Sequence, residues 1–237
     1  VGDSKGLNSK GYVKIYNYTN SVWSQVGSTI NGEEVGDESG HSLSLSDNGL
    51  ILAIGAPKND ANGDKSGHVR VYKNIDNTWS QLGDDIDGLT QKDYAGYSVS
   101  LSNDGKILAI GSPFNDEGSE SWCDPCTDAG KISVYENIED SWTQIGSDIK
   151  GHYENDRLGW SLSLNGNGNI ITSGVPGRSN DKGGVMIFEY SSNDWSINHG
   201  LNQSSMTGTN SGDLFGYSVA SNDNGNIVFS GGFKNDL

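Results

Sequence analysis

Four oxygen-bearing side chains stand at alternate positions in the loop KNDANGDKS after Pro57: Asp60, Asn62, Asp64 and Ser66. Hard oxygen donors at that spacing resemble the start of a calcium loop, although the glutamate that completes such a loop is missing. A polar exposed turn accounts for the same residues. Asn115, Asp116 and Glu117 begin the corresponding loop further along. Calcium is the one cofactor these residues call for. The only cysteines, Cys123 and Cys126, form a Cys-Asp-Pro-Cys string. Thiol–disulfide catalysis needs the reactive cysteine at a helix N-terminus, where its pKa falls. Here the pair sits in a long loop between strand-like segments, so a local disulfide in an oxidising compartment is the expectation. Half of a zinc site is the weaker alternative, since no second Cys or His pair stands nearby.

Most other chemically interesting residues are repeated. His41, Tyr97, Trp160 and Tyr217 each follow a glycine that opens a motif, and Ser42, Ser98, Ser161 and Ser218 come next. Serines that recur by symmetry argue against a nucleophile, which is normally unique. A row of one aromatic per unit could stack on a sugar, making Tyr97, Trp160 and Tyr217 candidate ligand contacts; alternation with Leu43, Val99, Leu162 and Val219 favours core packing instead. Asp37, Asp93, Asp156 and Asp213 lie three residues before the opening glycines and fit turn-stabilising acceptors of backbone N–H groups. The histidines are scattered, and neither a G-x-S-x-G elbow nor a phosphate-binding loop is present. The sequence therefore predicts a protein that is not an enzyme. Asn17 and Asn202 head glycosylation triplets, which chance also produces in so Asn- and Ser-rich a chain.

These residues are held by a tandem repeat. One motif reads GYVKIY at Gly11, GHVRVY at Gly67, GKISVY at Gly130 and GGVMIF at Gly183, each with a tryptophan twelve residues after its glycine: Trp23, Trp79, Trp142 and Trp195. The other opens GHSLSLSDNG, GYSVSLSNDG, GWSLSLNGNG and GYSVASNDNG, with a turn glycine nine residues on at Gly49, Gly105, Gly168 and Gly225. Ser-Leu-Ser-Leu alternation and β-branched runs predict strands, and no segment carries a helical apolar period. The Asn-Gly and Asp-Gly tips predict two-residue type I′ hairpins. Units of about four strands cannot bury both faces alone, so they must stack, with the tryptophans between them. The predicted fold is all-β: a β-propeller of four-stranded antiparallel blades in a single domain, 1–237. Its repeats run approximately 11–66, 67–129, 130–182 and 183–237, with the first and last half-motifs joining to close a four-bladed ring. A segment of a larger propeller is the alternative.

GYSVSLS, ILAIGSP and GKISVY together resemble the FG-GAP repeat of integrin α-like propellers, over nearly the whole chain. Only Phe215-Gly216 carries the literal FG, and GAP stands at Gly55-Ala56-Pro57. The resemblance implies a propeller, an extracellular or cell-surface location, and adhesion or ligand binding. Its calcium loop does not carry over to Asp47, Asp104 or Asp223, because the links holding them are too short to wrap the ion.

A formal charge of −16, from 31 acids and 15 bases, repels phosphate backbones and excludes nucleic acid as a partner. No apolar run is long enough for a membrane span. The resulting expectation is an extracellular, non-catalytic repeat module for adhesion, protein–protein interaction or surface and filament structure. Its partners would be other proteins, surface glycans or further copies of itself; the alternative is a carbohydrate-binding propeller assisted by calcium.

Overall fold

The computed structural model describes residues 1–118, 126–198 and 206–234. It is all-β and propeller-like. The first unit supplies β1 (Gly2–Asp3), β2 (Tyr12–Val13), β3 (Tyr16–Thr19), β4 (Val22–Gln25) and β5 (Ile30–Asn31). The second supplies β6 (Ser42–Leu45), β7 (Ile51–Ala56), β8 (His68–Ile75), β9 (Thr78–Gln81) and β10 (Ile86–Asp87). The third repeats this order with β11 (Ser98–Leu101), β12 (Ile107–Ser112), β13 (Lys131–Ile138), β14 (Ser141–Gln144) and β15 (Ile149–Lys150). Then come β16 (Ser161–Leu164), β17 (Ile170–Gly174), β18 (Val185–Ser191) and β19 (Asp194–Ile197), and finally β20 (Phe215–Ser221) and β21 (Val228–Gly232). The single turns α1 (Gly6–Ser9) and α2 (Arg178–Asp181) hold Asn8, Ser9, Ser179 and Asn180 at φ of 60, 65, 55 and 59°, so they are left-handed turns.

Three full blades result: β6–β9, β11–β14 and β16–β19, each an antiparallel meander. The expected fourth blade is represented by separate partial sheets, β1–β2–β5 with the β3–β4 hairpin, and β20–β21. Among the described residues these partial sheets share no strand pairing, so the expected four-bladed ring is not closed by hydrogen bonds. In the first unit β1 pairs with β2 in the register in which the Gly55–Ala56 end of β7 pairs with β8.

Packing follows from pleat alternation. Along β7, Leu52 and Ile54 join a core with Val13, Ile30 and Tyr72, while Ile51 and Ala53 face Val99, Leu101 and Leu108 of the next blade. A third core groups Ile132, Val134, Leu164, Ile171 and Phe188. A strand flanked by blades on both faces must be apolar throughout, which is why ILAIGA reads as one run.

Two features of the seams were not visible in the sequence. The repeated serine hydroxyls bond the neighbouring blade's main chain: Ser42 to the Gly96 carbonyl (2.7 Å), Ser98 to Gly159 (2.6 Å) and Ser161 to Gly216 (2.9 Å). Ser44, Ser100 and Ser163 accept the amides of Leu101, Leu164 and Ser221. The glycines of GAP and its variants permit this approach, since a Cβ on Gly55, Gly111 or Gly174 would collide with the carbonyl oxygen of Gly96, Gly159 or Gly216.

The turn assignment needs correcting. At S-D-N-G only the glycine is left-handed (Gly49, φ 71°), and its amide bonds Ser46 O while Ser46 N bonds Ile51 O. That makes a four-residue loop, braced by the Asn48 side chain accepting the Leu50 amide. The paired positive φ of a type I′ turn falls instead at the outer hairpins, on Asn20-Ser21, Asp76-Asn77, Glu139-Asp140 and Ser192-Asn193.

Candidate active site: an aromatic row ending at a histidine–carboxylate pair

His41, Tyr97, Trp160 and Tyr217 follow Gly40, Gly96, Gly159 and Gly216, whose φ values of 83–89° set the same turn in each unit. Serine anchoring of three of those glycines places successive rings in register. The centroids run His41–Tyr97 4.7 Å, Tyr97–Trp160 4.8 Å and Trp160–Tyr217 5.4 Å, and Phe233 stacks on Tyr217 at 4.7 Å. Phe114 closes one side at 5.7 Å from Tyr97 and 6.0 Å from Trp160. The rings form a continuous row that is partly exposed, not the buried packing that alternation suggested. Burial among them pushes the Tyr97 hydroxyl up to about 12, so it stays protonated at neutral pH. The Arg157 guanidinium lies 5.8 Å from the Trp160 ring.

The row ends at charge. His41 Nδ1 lies 3.9 Å from Glu38 Oε2, and Lys58 Nζ donates to Glu38 Oε1 at 2.8 Å. Glu38, at φ 56°, is held by its own carbonyl accepting the His41 amide and its amide donating to Ser9 O. Burial pushes the His41 pKa down, with Glu38 pulling the other way. A cleft of about 460 Å³ opens here, bounded by Ser4, Lys5, Glu38, His41, Lys58 and Tyr97 among others. A neutral imidazole beside a carboxylate can take a proton from water, and two ammonium groups can face developing negative charge.

A second polar cluster joins two units. Glu33 follows β5, while His68 opens β8 and Asp85 precedes β10; their ligand atoms all lie within 4.8 Å of one another, a group able to hold a metal ion. Sequence reading missed it because its members come from different repeats. The earlier candidates, Asp60, Asn62, Asp64 and Ser66, make separate bonds within the protein. Asp60 accepts the Lys65 amide, Asn62 donates its amide to Gly88 O, Asp64 pairs with Lys65 and buried Ser66 donates to Asn59 O.

The repeated aspartates are buried acceptors. Asp37 takes the Glu34 amide and Asn59, Asp93 takes Asn115, and Asp213 takes the amides of Thr209 and Asn210. Asp156 is 1% exposed, and burial raises its pKa to about 6. The tryptophans bridge blades: Trp79, Trp142 and Trp195 donate to the carbonyls of Val26, Leu82 and Ile145 in the preceding unit. Trp23 is 67% exposed. Cys126 is buried and disulfide-bonded, whereas Cys123 and Asn202 lie outside the described residues. Asn17 is exposed on β3.

No family profile and no curated protein matches the chain. Among solved structures it is similar to the periplasmic gluconolactonase PpgL of Pseudomonas aeruginosa, with a TM-score of 0.59 and 13% sequence identity. The match covers 92% of this chain and 56% of that one, so the chain spans just over half that protein's length. At this identity the likeness establishes the propeller-type fold. It also overturns the expectation of a non-catalytic adhesion module, and with it the expectation of no enzyme, because the propeller that this chain resembles is an enzyme. Repetition does not by itself exclude catalysis, because one unit can diverge at one position, as the repeated aromatic position does at His41. Among the described residues no helix is long and apolar enough to cross a membrane.

Proposed function

We propose that the chain is a hydrolase of sugar-derived cyclic esters, acting in the cleft beside His41. The observation that carries this reading is the histidine–carboxylate–ammonium group Glu38, His41 and Lys58 at the end of the aromatic row. The activity named for the similar propeller, a gluconolactonase, supports the substrate class. Aromatic faces suit the C–H side of a sugar ring, and the flanking charges suit its hydroxyl and ester oxygens.

In this reading His41 takes a proton from water as the water oxygen adds to the ester carbonyl. The Lys58 and Lys5 ammonium groups stabilise the oxyanion. Collapse breaks the ring C–O bond, and the imidazolium returns the proton to the leaving alkoxide, giving a carboxylic acid and a free hydroxyl. The Glu38 carboxylate, 3.9 Å from the imidazole, stabilises the imidazolium electrostatically. The setting that fits is outside the cytoplasm, because the Cys126 disulfide needs an oxidising compartment and the similar propeller is periplasmic.

The test is acid release from gluconolactone and related sugar lactones above the uncatalysed rate. His41→Gln should lower kcat/KM by roughly 10²–10⁴-fold with the melting temperature unchanged. Because the His41 pKa is lowered, the acidic limb of kcat/KM should fall below the ordinary histidine value. A wild-type chain no faster than water on every lactone, or a fully active His41→Gln variant, would remove this reading.

A further inference from the structure

We propose that Glu33, His68 and Asp85, with the Asp87 carboxylate beside them, form a site for a first-row divalent cation of the zinc type, clamping the first unit to the second. The His68 side chain is 1% exposed, yet its Nδ1 has no hydrogen-bond partner. That nitrogen faces three carboxylate oxygens, at 3.7 Å from Asp85 Oδ2 and 3.9 Å from Glu33 Oε2 and Asp87 Oδ1. These separations are too long for hydrogen bonds. They are close to the roughly 3.3–3.4 Å between ligands that Zn–N and Zn–O bonds of about 2.0–2.1 Å impose at tetrahedral angles. The ligand atoms of Glu33, His68 and Asp85 all lie within 4.8 Å of one another, so rotation of the two carboxylate side chains toward the imidazole would seat all three on one ion.

The surroundings orient the ligands. Arg70 Nη1 holds the other Glu33 oxygen at 3.3 Å while Nη2 donates to Asn31 O, and Gln81 holds the other Asp85 oxygen at 2.6 Å. Three carboxylates against one guanidinium leave room for a dication. The next repeat shows what this position requires. Where the second unit has His68, the third has Lys131, whose buried ammonium sits 3.6 Å from Asp93 and 3.8 Å from Asp148. Asp148 stands where Asp85 does, Lys150 replaces Asp87 and Leu89 replaces Glu33. One seam thus carries its positive charge covalently, and the other presents an imidazole and carboxylates for a bound ion. The imidazole ligand distinguishes the site from calcium's all-oxygen preference.

The experiment is isothermal titration of the metal-stripped chain with zinc chloride and, separately, calcium chloride, with thermal melts alongside. One zinc per chain is expected, together with a higher melting temperature that EDTA reverses. Glu33 and Asp85 side chains are 43% and 30% exposed, so Glu33→Gln and Asp85→Asn should fold and weaken zinc at least tenfold. His68→Lys, which copies the third unit, should abolish zinc binding and melt no lower than the metal-free wild type. The proposal is overturned if wild type binds no zinc, if calcium binds more tightly than zinc, or if Glu33→Gln and Asp85→Asn leave zinc affinity unchanged. None of these readouts depends on hydrolysis, so this proposal and the lactone reading stand or fall separately.

Discussion

Asp156 has a carboxylate that the fold buries and only partly satisfies: its Oδ2 has no hydrogen-bond partner. Burial raises its pKa from 3.8 to about 6, against an opposing pull from Arg178. The folded chain therefore takes up this proton before the unfolded chain does. The stability owed to the group is lowest above pH 6, grows as pH falls through about 6, and levels off near the ordinary carboxylate value. Asp156→Asn should raise the melting temperature by several degrees at about pH 8, roughly 2–3 kcal/mol, and the gain should shrink to nothing near pH 4. Taking the difference between variant and wild type removes the contributions of Asp93 and Asp128, which burial shifts the same way. A gain independent of pH would show that the charge is not the cause.

At the scale of elements, the same residue type behaves differently by position. Trp142 packs against the core between two full blades and donates to Leu82 O, while Trp23 on β4 is 67% exposed. Trp142→Ala should cost roughly 3–5 kcal/mol in urea unfolding, whereas Trp23→Ala should change stability by less than about 0.5 kcal/mol. Equal losses would mean that the tryptophans are not inter-blade groups. This pair also marks how far the sequence could be read. Strand alternation was legible, because period-two burial is a local signal, but the expectation that all four indoles lie between units fails at Trp23, which is exposed, while Trp79, Trp142 and Trp195 bond to the preceding unit. The turn types were not legible, because Asn-Gly chemistry suits both a two-residue I′ turn and the four-residue loop found, and only strand register decides. The Glu33–His68–Asp85 cluster was illegible for a stronger reason: Glu33 and His68 meet only because one unit stacks on the next. His41 could be seen as the one histidine in a repeated aromatic position, but its partner Glu38 is indistinguishable in sequence from other surface acids.

At the scale of the molecule, stability should be graded. Stacked repeats are held by neighbour contacts, so units covered on both faces open last. β12 is buried along nearly its whole length, whereas β21 has no buried residue and Phe229 is 67% exposed. Hydrogen exchange should be slowest in β7, β8, β12, β13 and β17, and faster in β3–β4 and β20–β21. Uniform protection across all of them would mean that further contacts cover the flanking sheets.

The serine seam has an implication for how such a chain arises. A hydroxyl that grips a neighbour's main chain recognises something every amino acid provides, so two adjoining units need no matched side chains to dock. A newly copied segment would arrive with its fasteners already compatible, and its sequence would be free to drift wherever a glycine and a serine are kept. That freedom would let one copy hold a lysine and its sibling a histidine in the same place, so that novelty enters by single replacements in a frame that tolerates them.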